Sequence, residues 1–150
     1  MASKQESASK KYLNILGIVT MVLGCIIVIG GIILMALNIN LADINNDYVN
    51  QLIANANGDV NVAKMSLGLG IIFSGLFQAF LGWLERRASK TPEKSTLLLV
   101  LTVLSVVGGV FSMFNTGFKD ADNAFGSVFS LTINVLALLA IIKLRSTIED

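Results

Sequence analysis

The sequence predicts an all-α membrane protein: a four-transmembrane-helix bundle with N- and C-termini cytoplasmic and a short amphipathic helix in the first outer loop. Three observations carry that prediction. Apolar residues collect in four blocks, Leu13–Leu37, Met65–Leu84, Leu97–Phe114 and Ala124–Ile142, and none of them contains Asp, Glu, Lys, Arg or His. At ~1.5 Å per helical residue, blocks of this length suit a hydrocarbon layer of about 30 Å. The composition agrees: 54% of the residues are hydrophobic and 14% are charged, where soluble domains carry roughly 25% charge. The mean hydropathy is +0.74. Finally, the charges are sorted. With the N-terminus inside, the cytoplasmic segments hold Lys4, Lys10, Lys11, Arg86, Arg87, Lys90, Lys94, Lys143 and Arg145, and the outer loops keep only Lys64 and Lys119. A Lys/Arg bias of this kind sets orientation, and it places the chain in the plasma membrane as a multi-pass protein.

In chain order, residues 1–11 read as a polar, disordered cytoplasmic tail, followed by a transmembrane domain over 12–145 and a short charged tail over 146–150. Spans are expected at about 13–38, 62–84, 95–115 and 124–143. The first is too long for the apolar region of a signal peptide and lacks an A-x-A-like site, so it reads as an uncleaved anchor. Tyr12 stands where an interfacial aromatic would. The outer loop 41–61 carries Leu41, Ile44, Tyr48, Val49, Leu52, Ile53 and Ala56 at helical spacing, which predicts an amphipathic helix capped by Asp43 and stopped at Asn57-Gly58. Span two ends at Trp83. A basic loop, Glu85 to Lys94, follows, in which Thr91-Pro92-Glu93 reads as the N-cap, first-turn proline and first-turn acid of the third helix. Asn115–Asn123 makes a short outer turn, with Phe118 and Phe125 as interfacial anchors for the last span. Shared patterns between spans one and three, and between two and four (Gly70, Phe73, Ser74 and Gln78 against Gly126, Phe129, Ser130 and Asn134), hint at two duplicated hairpins.

Two sets of residues inside the spans invite a role. Gly17, Gly24 and Gly31 recur every seven residues in span one, and Gly68, Gly75 and Gly82 do so in span two. Gly109 belongs to a weaker series in span three. Helices in lipid associate by close packing and hydrogen bonding, and glycine stripes let two backbones approach. The simplest arrangement packs the first stripe against the second; the other use of such a stripe is contact with a membrane-protein partner or a second copy. Thr20, Gln78, Thr102, Ser105 and Asn134 fall at similar depth in the inner half and read as an intramembrane polar cluster. A buried amide costs several kcal/mol unless partnered. They serve either as hydrogen-bonded glue or as the lining of a polar site.

Other chemistry is excluded by what is missing. With no histidine, one cysteine and no carboxylate within a span, the chain offers no nucleophile–base pair, metal site or cofactor site. The glycines follow helical spacing, not that of a phosphate-binding loop. Asp43 with Asp47, and Asp120-x-Asp122-Asn123, lack the remaining ligands of a calcium loop and read as solvated surface. A single cysteine excludes an internal disulfide. Arg86, Arg87, Lys90 and Lys94 are expected to meet anionic lipid headgroups and fix topology; the bilayer, not nucleic acid, is the partner.

The stretch Ala88-Ser89-Lys90-Thr91-Pro92-Glu93-Lys94, set between glycine-rich second and third spans, resembles small bacterial four-span integral membrane proteins of uncharacterised function. The likeness covers about the middle half of the chain. Small multidrug-resistance transporters, which depend on an acid in the first span, and claudins, which carry tryptophan and cysteines in the first outer loop, fit less well. The function that follows is non-enzymatic: helix–helix interaction, as an accessory or assembly subunit or a homo-oligomer. The alternative is a small channel or transporter for a neutral solute or ion around Gln78 and Asn134.

Overall fold

The computed structural model describes residues 4–37, 39–115 and 121–149, and among them it holds α-helices and 3₁₀ turns but no strand. The helices are α1 (Lys4–Ala36), α2 (Asp47–Asn55), α3 (Val60–Lys90), α4 (Thr96–Asn115) and α5 (Ala121–Glu149). Two of them contain stretches long and apolar enough to cross a membrane, Ala8–Ala36 and Val60–Lys90; Thr96–Phe111 is a shorter apolar helix. The chain divides into two compact units, Val19–Leu81 and the combination of Met1–Ile18 with Gly82–Asp150.

The unit Val19–Leu81 holds the C-terminal part of α1, the connection, α2 and most of α3. Asparagine and aspartate side chains punctuate it. Asn40 starts a 3₁₀ turn, Leu41–Asp43, by accepting from the Ala42 amide at 3.3 Å and donating to Asp43 Oδ1. Asn46 then starts α2, its Oδ1 accepting from the Tyr48 amide at 2.9 Å and the Val49 amide at 3.3 Å. The N-cap of the amphipathic helix is therefore Asn46 and not Asp43. Both residue types satisfy orphan amides, but the chain first makes a separate turn that Asp43 ends. The helix closes as its sequence suggested, with Asn57 at φ 55° and Gly58 at φ 83°, left-handed positions that relieve the last carbonyls. The Gly58 amide donates to Ile53 O at 2.9 Å. Asp59 at once opens α3, accepting from the Asn61 and Val62 amides. The apolar face of α2 buries Val49 with Leu41 and Ala63, and Leu52, Ile53, Ala56, Val60 and Leu67 pack around them. Lys64 donates from Nζ to Leu37 O at 3.0 Å, placing a cation on the carbonyl end of α1, where the helix dipole favours it.

The other unit gathers the first turns of α1, the end of α3, a 3₁₀ turn at Pro92–Lys94, α4 and α5. Its core is Leu13, Leu84, Ala88, Leu98, Ala140, Ile141 and Leu144, with Tyr12, Leu99 and Leu101 alongside. α1 begins at Lys4, inside the segment read as a tail, and Ser9 is already buried. The expected loop Glu85–Lys94 is helical as far as Lys90, so only Thr91–Ser95 connects α3 to α4. Thr91 makes no side-chain cap; Pro92 opens the 3₁₀ turn, and the Leu99 amide returns to Ser95 O at 2.8 Å as α4 begins. Arg145 reaches from α5 to Thr96 Oγ1 at 3.1 Å, tying the last turns of α5 to the start of α4. Residues 116–120, with Phe118 and Asp120, and the side chains of Asp122, Asn123 and Phe125 lie outside the described residues.

Candidate functional site

Within each unit, α1 and α3 meet backbone to backbone at glycine. In the unit Val19–Leu81, a Cβ added at Gly24 would lie 2.5 Å from Ala79 N and 2.6 Å from Gly75 O, and one added at Gly31 would lie 2.9 Å from Gly68 O. The same holds in reverse at Gly75, which faces Gly24 O at 2.7 Å, and at Gly68, which faces the Met35 side chain. In the other unit a Cβ at Gly17 would sit 2.6 Å from Gly82 O and 2.7 Å from Arg86 N. Gly17 faces Gly82, Gly24 faces Gly75 and Gly31 faces Gly68, the register of an antiparallel pair. Real Cβ atoms do not approach backbone so closely, which is why Gly17, Gly24, Gly31 and Gly75 are glycine; at Gly68 the near atoms belong to the flexible Met35 side chain, which can shift. Gly109 packs more loosely, with Leu131 Cδ1 at 3.3 Å, and Gly30, Gly70 and Gly108 face open space.

The polar residues expected to form one cluster divide between the units. Thr20 and Gln78 belong to Val19–Leu81; Thr102, Ser105 and Asn134 belong to the other unit. Thr102 is buried and donates to Leu98 O in its own helix at 2.7 Å, so its hydroxyl is satisfied locally. Thr20, Gln78, Ser105 and Asn134 are half-buried.

Residue-level polarity concentrates instead at the end of the second unit. Ser9, Glu85, Ser89 and Ser95 are all buried there. Ser89 donates to Arg86 O at 2.7 Å. Glu85 at 9% exposure is a buried carboxylate that sequence reasoning assigned to a solvated loop. A signal for it existed: Ser89 extends the series Gly68, Gly75, Gly82 by one more seven-residue step, so the inward face of α3 runs on past Trp83. On another face of the same turns, the Arg87 guanidinium stands 5.1 Å from the centre of the Trp83 ring. Arg86, Arg87 and Lys90 are exposed around it, and Lys94 is exposed beyond the helix end. A hollow of about 280 Å³ runs between α1 and α5, lined by Ser9, Tyr12 and Lys143 at its polar end and by Leu136, Leu139 and Ala140.

Compared with models of protein families, with curated proteins and with solved structures, the chain gives no match.

Proposed function

We propose that this chain is a multi-pass protein of the plasma membrane that crosses the bilayer four times, keeps both termini on the cytoplasmic side, and works without chemistry of its own. It acts through contact between helices, as an accessory or assembly subunit or as a homo-oligomer. One observation carries this reading. Only 11% of the apolar window in Ala8–Ala36 and 22% of that in Val60–Lys90 is buried. Ile26, Phe73, Leu104, Phe111 and Leu139 are each more than half exposed. Apolar area left in water costs about 25 cal/mol per Å², and a core helix of a soluble protein would have hidden it. Lipid removes that cost. The glycine stripes are occupied within the chain. The faces at Gly30, Gly70 and Gly108, open to a new Cβ, are the ones left for another subunit.

Labelling single cysteines in a Cys25→Ser background tests the topology: Ser7→Cys and Ser146→Cys should react from one side of sealed vesicles and Asn55→Cys from the other. Termini on opposite sides, or a chain that stays in solution without detergent, would overturn the reading. For the interaction, Gly70→Leu and Gly108→Leu should leave a folded monomer in detergent while abolishing cross-linked species seen with the parent chain. Cross-linking that survives both removes the assembly role.

A further inference from the structure

The hollow lined by Trp83, Arg86, Arg87, Lys90 and Thr91 measures about 390 Å³. Trp83, Arg87 and Lys90 follow helical spacing along the last turns of α3, and Arg86 lies one turn before Lys90. Arg87 is held over the Trp83 ring. Arg86, Arg87 and Lys90 are exposed, and Glu85, next in sequence, is buried. Like charges three and four residues apart repel by a few tenths of a kcal/mol. The carbonyl end of α3 offsets only about half a charge. An anion seated in the hollow would neutralise the rest.

Its place in the sequence narrows the class of anion. Trp83 closes the apolar part of α3 and is 44% exposed, and an indole at such a boundary sits at headgroup level. A phosphate tethered to acyl chains is delivered to that depth, while a soluble anion gains nothing from it. A phosphodiester carries one charge, which a single guanidinium can clamp with paired hydrogen bonds; three cations suit more. We propose that this hollow binds the phosphate of a lipid headgroup bearing two negative charges, as in phosphatidic acid or cardiolipin. The site rests on the reading of α3 as a membrane span.

Trp83 is the sole tryptophan, so the emission of the full chain in neutral detergent micelles reports from the hollow. Phosphatidic acid and cardiolipin should each give a saturable change, half-complete at about fivefold lower concentration than phosphatidylglycerol at matched charge, the factor expected of one additional cation–headgroup contact. Arg86→Gln and Lys90→Gln should each weaken the response by about fivefold, while the equal charge loss of Lys11→Gln should not. Helical circular dichroism identifies any variant that has unfolded, and Lys90→Gln, at the end of α3 and away from the Gly17 contact, then carries the test. Equal response to phosphatidylglycerol, a response that never saturates, or indifference to both variants overturns the site. Saturation by water-soluble glycerol 3-phosphate at the same concentration would overturn its lipid character. Flotation with phosphatidylcholine vesicles separates the two levels. If the chain floats but shows no saturable binding, the headgroup site alone fails; if it does not float, the membrane reading fails first.

Discussion

Gly24 and Gly30 show how much one hydrogen can matter on one helix. A Cβ at Gly24 meets main-chain atoms of Ala79 and Gly75, whereas at Gly30 it meets nothing within 4 Å. Alanine is the better helix former by about 1 kcal/mol, and overpacking costs about 1–3 kcal/mol. Gly30→Ala should therefore hold or raise the free energy of unfolding in mixed micelles, and Gly24→Ala should lower it by up to about 2 kcal/mol net. Equal effects at the two positions would mean that the α1–α3 contact does not persist in the folded protein. The seven-residue spacing that sets Gly24 in line with Gly17 and Gly31 was legible in the sequence, because steric need leaves a periodic trace. The burial of Glu85 left only the indirect trace of Ser89 continuing the glycine series, since a carboxylate beside two arginines looks solvated until the helix is known to continue beneath it.

At the scale of the element, starts were harder to read than stops. Asn57-Gly58 announces the end of α2 because few residues tolerate left-handed backbone. Asp43 and Asn46 are both good caps, and only the intervening 3₁₀ turn decides between them. Asn46→Ala should destabilise α2 by about 1 kcal/mol and speed exchange of the amides of Tyr48 and Val49, with Asp43→Ala close to neutral. The opposite order, measured by hydrogen exchange, would restore Asp43 as the cap. Proline at Pro92 was read correctly as a beginning, but of a short turn preceding α4. Likewise α1 starts within a polar segment because Lys, Gln, Glu and Ala are good helix formers, which outweighs the absence of an apolar stripe there.

In each unit, among the described residues, burial is confined to a small core and many large apolar side chains are exposed. Ile141 is fully buried and its neighbour Leu139 is 57% exposed. Ile141→Ala should cost about 2 kcal/mol or more through the cavity it leaves, and Leu139→Ala less than about 0.5 kcal/mol. Comparable losses by chemical denaturation in micelles would place Leu139 inside a contact. The helical class and the apolar blocks could be read from composition, which averages over many residues. Depth along a helix places Thr20, Gln78, Thr102, Ser105 and Asn134 at a similar level but does not say which side chains share a neighbourhood, and they belong to two different units.

The meeting of Gly24 with Gly75 joins polypeptide to polypeptide with no side chain between them. If α1 and α3 cross the bilayer as proposed, a joint of that kind expels no water and so carries little of the heat-capacity change that makes ordinary cores weaken when chilled. Its grip should stay nearly constant from cold to physiological temperature, leaving α1 and α3 a fixed pair at temperatures where a water-driven core would already have loosened.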